Sequence, residues 1–174
     1  MPASFRVTVA KDYLNFAAAH FITMRGHKCE ALHGHNYRVG VTVEGALDAE
    51  CRWVMDFSVL KEILRPLVKT VDHRVLLPTR NPKLDIGQHG KQLRVAVFGE
   101  ARYVFPETDC VLLEIENTTA ELLAEHFGLQ VQAALAAQGY ADLTRLVIEV
   151  EESTGQSAFW EWRRPPASRK EHHA

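Results

Sequence analysis

His33-Gly34-His35-Asn36-Tyr37-Arg38-Val39-Gly40-Val41-Thr42-Val43-Glu44 carries a folding signal and a chemical signal in one stretch. From residue 36 to 44 the apolar set Tyr37, Val39, Val41 and Val43 alternates with Arg38, Gly40 and Thr42, the period-two pattern of a strand with one face in a core. His33 and His35 share the parity of Tyr37 and Val39, so both imidazoles point to one face where that strand begins. A His-x-His pair also arises readily by chance in a chain with nine histidines, and a third ligand is needed before it can form a catalytic metal site.

A third histidine is available. Residues 5–9 alternate Phe5, Val7 and Val9 with Arg6 and Thr8, which reads as a second half-buried strand, and His20 lies at the end of this first extended segment. Antiparallel pairing of the two segments returns His20 beside His33 and His35. Three imidazoles with a fourth position open to water or substrate is the ligand set of catalytic zinc, against the alternative of ordinary polar or core histidines.

The rest of the chain fits a soluble α+β protein. Its 174 residues suit one domain, and 47% hydrophobic with 24% charged residues argues against disorder, collagen-like repeats and coiled coil. A net charge of −2 offers no footprint for nucleic acid, and no apolar run approaches the roughly 20 residues that span a bilayer. The opening residues carry no apolar leader, so a cytoplasmic protein is expected. Cys29, Cys51 and Cys110 are odd in number, far apart and lack a Cys-x-x-Cys pair, which argues against a disulfide framework or a thiolate zinc knuckle.

Between Asp56 and Val71 an apolar stripe predicts a helix that Pro66 should kink. Residues 78–90 read as a loop, and residues 93–98 and 102–105 as a hairpin, so an inserted loop and hairpin occupies about residues 78–110 of a single domain spanning 1–162. Thr118-Thr119-Ala120-Glu121 has the form of a capping box opening a second helix, which Gly139 can end despite Gly128 inside it. Residues 143–152 and 157–162 predict a hairpin across Thr154-Gly155, and residues 163–174 a polar, flexible tail. The expected layer is an antiparallel sheet with both helices on one face.

Other residues could carry chemistry, each with a plainer alternative. Cys29, four residues before His33, could be a thiolate base near a dication, or merely a buried thiol. Asp72-His73 could form a proton relay, or cap the helix before it. Glu152 ends the apolar face of Leu146, Ile148 and Val150, where a carboxylate could accept paired N–H donors from a planar ligand or simply leave the strand for solvent.

Taken in order, His20, Cys29-Glu30-Ala31-Leu32-His33-Gly34-His35, the helix start at Asp56, Asp72-His73, Asn117-Thr118-Thr119-Ala120-Glu121 and Glu152-Ser153-Thr154 resemble the 6-pyruvoyl-tetrahydropterin synthase and 6-carboxy-tetrahydropterin synthase family. The resemblance implies the tunnelling fold (T-fold), an oligomeric barrel built as a homo-hexamer from two trimers. It implies His20, His33 and His35 as Zn2+ ligands, Cys29 as catalytic base, Asp72 and His73 as proton-transfer partners, and Glu152 as the pterin anchor, with Thr118, Thr119 and Glu121 near the pterin. It further implies a lyase acting on 7,8-dihydroneopterin triphosphate. The 6-carboxy product of queuosine and deazapurine synthesis is favoured by the Cys-x-x-x-His-Gly-His spacing, with 6-pyruvoyl-tetrahydropterin as the alternative. Glu30 resembles the glutamate of members that form 6-hydroxymethyl-dihydropterin, so Cys29 and Glu30 together could give two activities; alternatively Glu30 projects into solvent. Readings of another class are a non-catalytic zinc- or pterin-binding module and a zinc hydrolase unrelated to pterins. The departures are the long segment 76–115 and Glu151-Glu152-Ser153 in place of an aromatic-Glu-Thr motif.

Overall fold

In the computed structural model, which describes residues 4–165, the two strands predicted around the histidines are long and paired. β1 (Phe5–His20) and β2 (His33–Gly45) run antiparallel, from Phe5 opposite Gly45 to His20 opposite His33, with an irregularity between Ala10 and Asn15. A Cβ at Gly34 would stand 3.0 Å from the Ala18 carbonyl oxygen, so only glycine lets the strands meet there without a shift.

Helix α1 (Phe57–Val71) starts at Asp56, whose carboxylate accepts the Ser58 amide at 2.8 Å, and buries Leu60, Ile63, Leu64, Val68 and Val71 along one stripe. It continues through Pro66, so the expected kink does not interrupt it. After α1 comes β3 (Arg74–Pro78), a short strand that alternation could not reveal because Val75, Leu76 and Leu77 are consecutive apolar residues. β3 pairs parallel with β1 and with β7 (Cys110–Leu113), so the sheet is mixed rather than purely antiparallel, because the chain crosses through α1 before it rejoins the sheet.

Residues 84–106 form a separate three-stranded antiparallel sheet of β4 (Leu84–His89), β5 (Gln92–Val97) and β6 (Glu100–Pro106). The segment expected to be a loop therefore contains β4, and the inserted hairpin is a three-strand meander. Its inner residues Leu93, Val95 and Val97 close over Phe21 and Leu77 in a second apolar cluster, apart from the main core.

Helix α2 (Ala120–Ala137) is capped by Thr119, whose hydroxyl accepts the Leu122 amide at 3.4 Å. The cap is thus one residue later than the capping-box reading placed it, because Thr118 is fully buried and gives its hydroxyl to the Phe21 carbonyl at 3.0 Å. β8 (Arg145–Ser153) and β9 (Gln156–Arg163) turn at Thr154-Gly155 as expected and complete the sheet order β7-β3-β1-β2-β8-β9. Arg163, expected to open the tail, instead ends β9, and the Arg164 amide donates to the Thr144 carbonyl at 3.0 Å; residues 166–174, the rest of the expected tail, lie outside the described residues.

Both helices cover one face, α1 over β1 and α2 over β8 and β9, around a core centred on Tyr37, Phe16 and Phe127. The Phe16 and Tyr37 rings stack with centroids 4.6 Å apart, and each such buried side chain contributes on the order of 2 kcal/mol. No helix among the described residues is long and apolar enough to cross a membrane.

Gly128 sits inside α2 because Trp160 of β9 lies against its backbone: a Cβ there would fall 2.1 Å from the Trp160 ring. Gly128→Ala should therefore destabilise the protein by about 2 kcal/mol despite alanine's helix advantage of about 1 kcal/mol. A urea unfolding midpoint at or above that of the parent would show that the indole moves freely.

Candidate metal centre

The pairing of β1 with β2 ends on His20 and His33, and His35 follows opposite Ala18, so three imidazoles from two strand ends converge. One nitrogen from each lies within 4.8 Å of the other two, and the ring centroids are 4.6 to 5.3 Å apart. His20 is fully buried and His33 stands at the open side.

Two backbone carbonyls set the orientation of these rings. His20 Nδ1–H donates to the Thr118 carbonyl at 2.9 Å, and His33 Nδ1–H donates to the Ala31 carbonyl at 2.8 Å. Each bond puts the proton on Nδ1 and leaves Nε2 unprotonated, the tautomer a metal ligand needs, with the Tyr37 hydroxyl 3.2 Å from His20 Nε2. Burial pushes the His20 pKa down, reinforced by the other two imidazoles and opposed by the Thr118 bond and Glu152, so its neutral form is favoured. The donor set suits a divalent ion that accepts imidazole.

Glu152 enters through a β-bulge. Glu151 pairs with Ser157 and Ser153 with Gln156, so Glu152 is the extra residue of β8 and its carboxylate is free to turn inward. Its Oε1 accepts the Tyr37 hydroxyl at 3.2 Å and lies 3.6 Å from His20 Nε2. Burial, together with the Glu152 carboxylate, pushes the Tyr37 phenol far up, so it remains a donor. Tyr37 was not predicted as a site residue, although its parity with His33 and His35 placed it on their face.

Asp72 ends α1, and its Oδ1 lies 2.9 Å from His73 Nδ1 while accepting the Ala17 amide at 3.0 Å. Burial works to raise the Asp72 pKa, but the Ala17 amide and His73 hold it below the usual carboxylate range. Asp72, His73, His35 and Glu152 line one cavity of about 750 Å³, floored by Phe16 and Ala17.

The neighbours Cys29 and Glu30 point apart, with the carboxylate and not the thiol turned to the histidines. Glu30 Oε2 lies 3.9 Å from His33 Nε2, whereas Cys29 packs against the second apolar cluster. Burial raises the Cys29 pKa, with Arg102 pulling it back and Glu30 adding to the rise. Thr118 stands behind His20 and Thr119 caps α2. Glu121 is exposed in the first turn of α2, and among the described residues no hydrogen bond or ion pair joins it to the histidines.

The sequence profile of the 6-pyruvoyl tetrahydropterin synthase family matches residues 8–162. A Methanocaldococcus jannaschii protein provisionally named 6-carboxy-5,6,7,8-tetrahydropterin synthase is 30% identical over 148 residues, 84% of this chain and 89% of that one. The crystal structure of 6-pyruvoyl tetrahydropterin synthase from Plasmodium vivax superposes with a TM-score of 0.87 at 28% identity, over 94% of this chain and all of that one. A variant of the Plasmodium vivax enzyme with a catalytic glutamate changed to alanine superposes at 0.86, with 27% identity and the same coverage.

With Zn2+ as the probe ion, chelator-stripped protein should take up about one ion per chain. His35→Ala should weaken that uptake at least a hundredfold, since two imidazoles hold a cation poorly. Competition against a chromophoric chelator measures both, and unchanged affinity in the variant would remove His35 from the ligand set.

Proposed function

The chain belongs to the 6-pyruvoyl tetrahydropterin synthase family, and from that membership we propose that it is a zinc-dependent lyase that converts 7,8-dihydroneopterin triphosphate and water to 6-carboxy-5,6,7,8-tetrahydropterin, acetaldehyde and triphosphate. The reading places it in the cytosol, in queuosine and deazapurine synthesis. The observation that carries it is the cluster of three imidazoles, two with Nδ1 tied to a carbonyl, beside the Glu152 carboxylate. The name of the Methanocaldococcus jannaschii relative supports the carboxy product.

His20, His33 and His35 would hold the zinc ion, which supplies Lewis-acid polarisation of substrate hydroxyls. Glu152 is the anchor: Tyr37 fixes Oε1 and the carboxylate retains lone pairs for paired N–H donors of a pterin edge. Asp72 holds His73 through Nδ1, which leaves Nε2 of that imidazole to give or take a proton in the shared cavity. Cys29 is the proposed base for the carboxy-forming route. Thr119 and Glu121 are proposed contacts at the start of α2, and Thr118 acts through His20.

A homo-hexamer of two trimers completes the proposal. Among the described residues the edge strands β7 and β9 each leave one side of their backbone ladder open, and the sheet face opposite the helices exposes Phe159 at 62%, features that pairing between subunits would cover.

A second reading rests on Glu30. Its carboxylate faces His33 and a glutamate is catalytic in the Plasmodium vivax enzyme, which supports Glu30 as a base for 6-hydroxymethyl-dihydropterin formation. Incubation with 7,8-dihydroneopterin triphosphate and product identification by mass separates the readings. Cys29→Ala should retain zinc and lose the carboxy product by about a hundredfold or more, the scale of a lost general base. If Glu30 is a second base, the hydroxymethyl product persists in Cys29→Ala and disappears in Glu30→Ala. Zinc-loaded parent protein that binds the pterin without turnover would instead be a binding module.

A further inference from the structure

The inserted sheet reaches the catalytic segment through one side chain. In the pairing of β5 with β6, Val95 lies opposite Tyr103 and Ala96 opposite Ala101, so Arg102 is the extra residue of a β-bulge. A bulged residue is released from the alternation of its strand and can be aimed independently. Arg102 uses that freedom to leave its own sheet: Nη2 donates to the Glu30 carbonyl at 3.1 Å, across 72 residues of sequence. The Cys29 thiol donates to the same oxygen at 3.4 Å, so guanidinium and thiol converge on one acceptor.

The guanidinium is itself braced. Arg102 Nε donates to the Tyr103 hydroxyl at 3.0 Å, and the Tyr103 ring packs on Phe21 and Phe105 with centroids 5.1 and 5.4 Å away. The catalytic segment has few backbone ties of its own: the Glu30 amide to the Ile22 carbonyl at 3.0 Å, the Met24 amide to the Lys28 carbonyl at 2.7 Å, and an isolated bridge between Thr23 and Cys29. A fixed donor on the Glu30 carbonyl sets the peptide plane from which the Glu30 carboxylate turns to His33 and the Cys29 thiol turns away.

We infer that Arg102 is a positioning residue of the inserted sheet, which holds the Cys29-Glu30 segment through the Glu30 carbonyl and so determines which of the two side chains serves as base. This rests on the reading of Cys29 and Glu30 as the proton-transfer groups. Arg102 also opposes the rise in the Cys29 pKa, so its loss would disfavour the thiolate as well as loosen the segment.

The test uses zinc-loaded full-length protein with Arg102→Ala and Arg102→Lys. Arg102→Ala should lower kcat at least tenfold and change the ratio of carboxy to hydroxymethyl product, with KM within threefold and zinc content unchanged. Arg102→Lys, whose ammonium can still donate to the carbonyl, should return kcat to within threefold. Hydrogen exchange at residues 27–32 should quicken at least tenfold in Arg102→Ala while residues 37–43 stay protected. Parent-like kcat and product ratio in Arg102→Ala, a lysine variant as slow as the alanine one, or unchanged exchange would each overturn the inference. Should the parent show no turnover of dihydroneopterin triphosphate, the lyase reading fails, and the exchange measurement still judges whether Arg102 holds the segment.

Discussion

A fully buried imidazole must find a partner for its N–H, and the His20 bond to the Thr118 carbonyl meets that need between elements 98 residues apart. The bond ties the end of β1 to the start of α2. Around it Thr118 gives its hydroxyl to Phe21, and Asn117 gives its side-chain amide to the Thr23 carbonyl at 3.1 Å, so the chain leaving His20 is sewn to the helix on both sides. Loss of one partner would leave a buried polar group unsatisfied at about 1–3 kcal/mol, which makes the local geometry all-or-none. Ring orientation, Tyr37 placement and Glu152 approach all follow from that fixed point.

The parts of this arrangement legible in sequence are those governed by a simple period. Alternation through Tyr37, Val39, Val41 and Val43 located β2, and the same parity aligned His33 with His35; three- and four-residue spacing located α1; the Thr154-Gly155 turn located the last hairpin. What escaped reading breaks a period or ignores it. β3 is a run of apolar residues without alternation, β4 hides among Gly, Asp and Pro, and the α2 cap moved by one residue because Thr118 had a tertiary partner. Bulges are the extreme case, since nothing local marks Arg102 as released from its strand. Glu152 was placed on the correct face, but the bulge that turns its carboxylate inward was not foreseen.

Two apolar clusters divide the labour of the fold. The main core fixes the histidines and Tyr37 through β1, β2 and the two helices, while the smaller cluster under the inserted sheet mounts Cys29. Phe21 follows His20 directly and lies in the second cluster, so the imidazoles and Cys29 are carried by adjoining packed clusters. Substitutions under the inserted sheet therefore bear first on Cys29, and substitutions under α2 first on the main core behind the imidazoles.

Gly34 gives the histidine pair a mechanical meaning. With the Ala18 carbonyl oxygen 3.0 Å from where a Cβ would sit, the residue between the two imidazoles works as a thin spacer. A Cβ there would make the Ala18 backbone give by a few tenths of an ångström, beside the point where His20 faces His33. The three-residue motif thus encodes a distance as well as two imidazoles, so the spacing of the histidine cluster depends on a residue that adds no nitrogen to it.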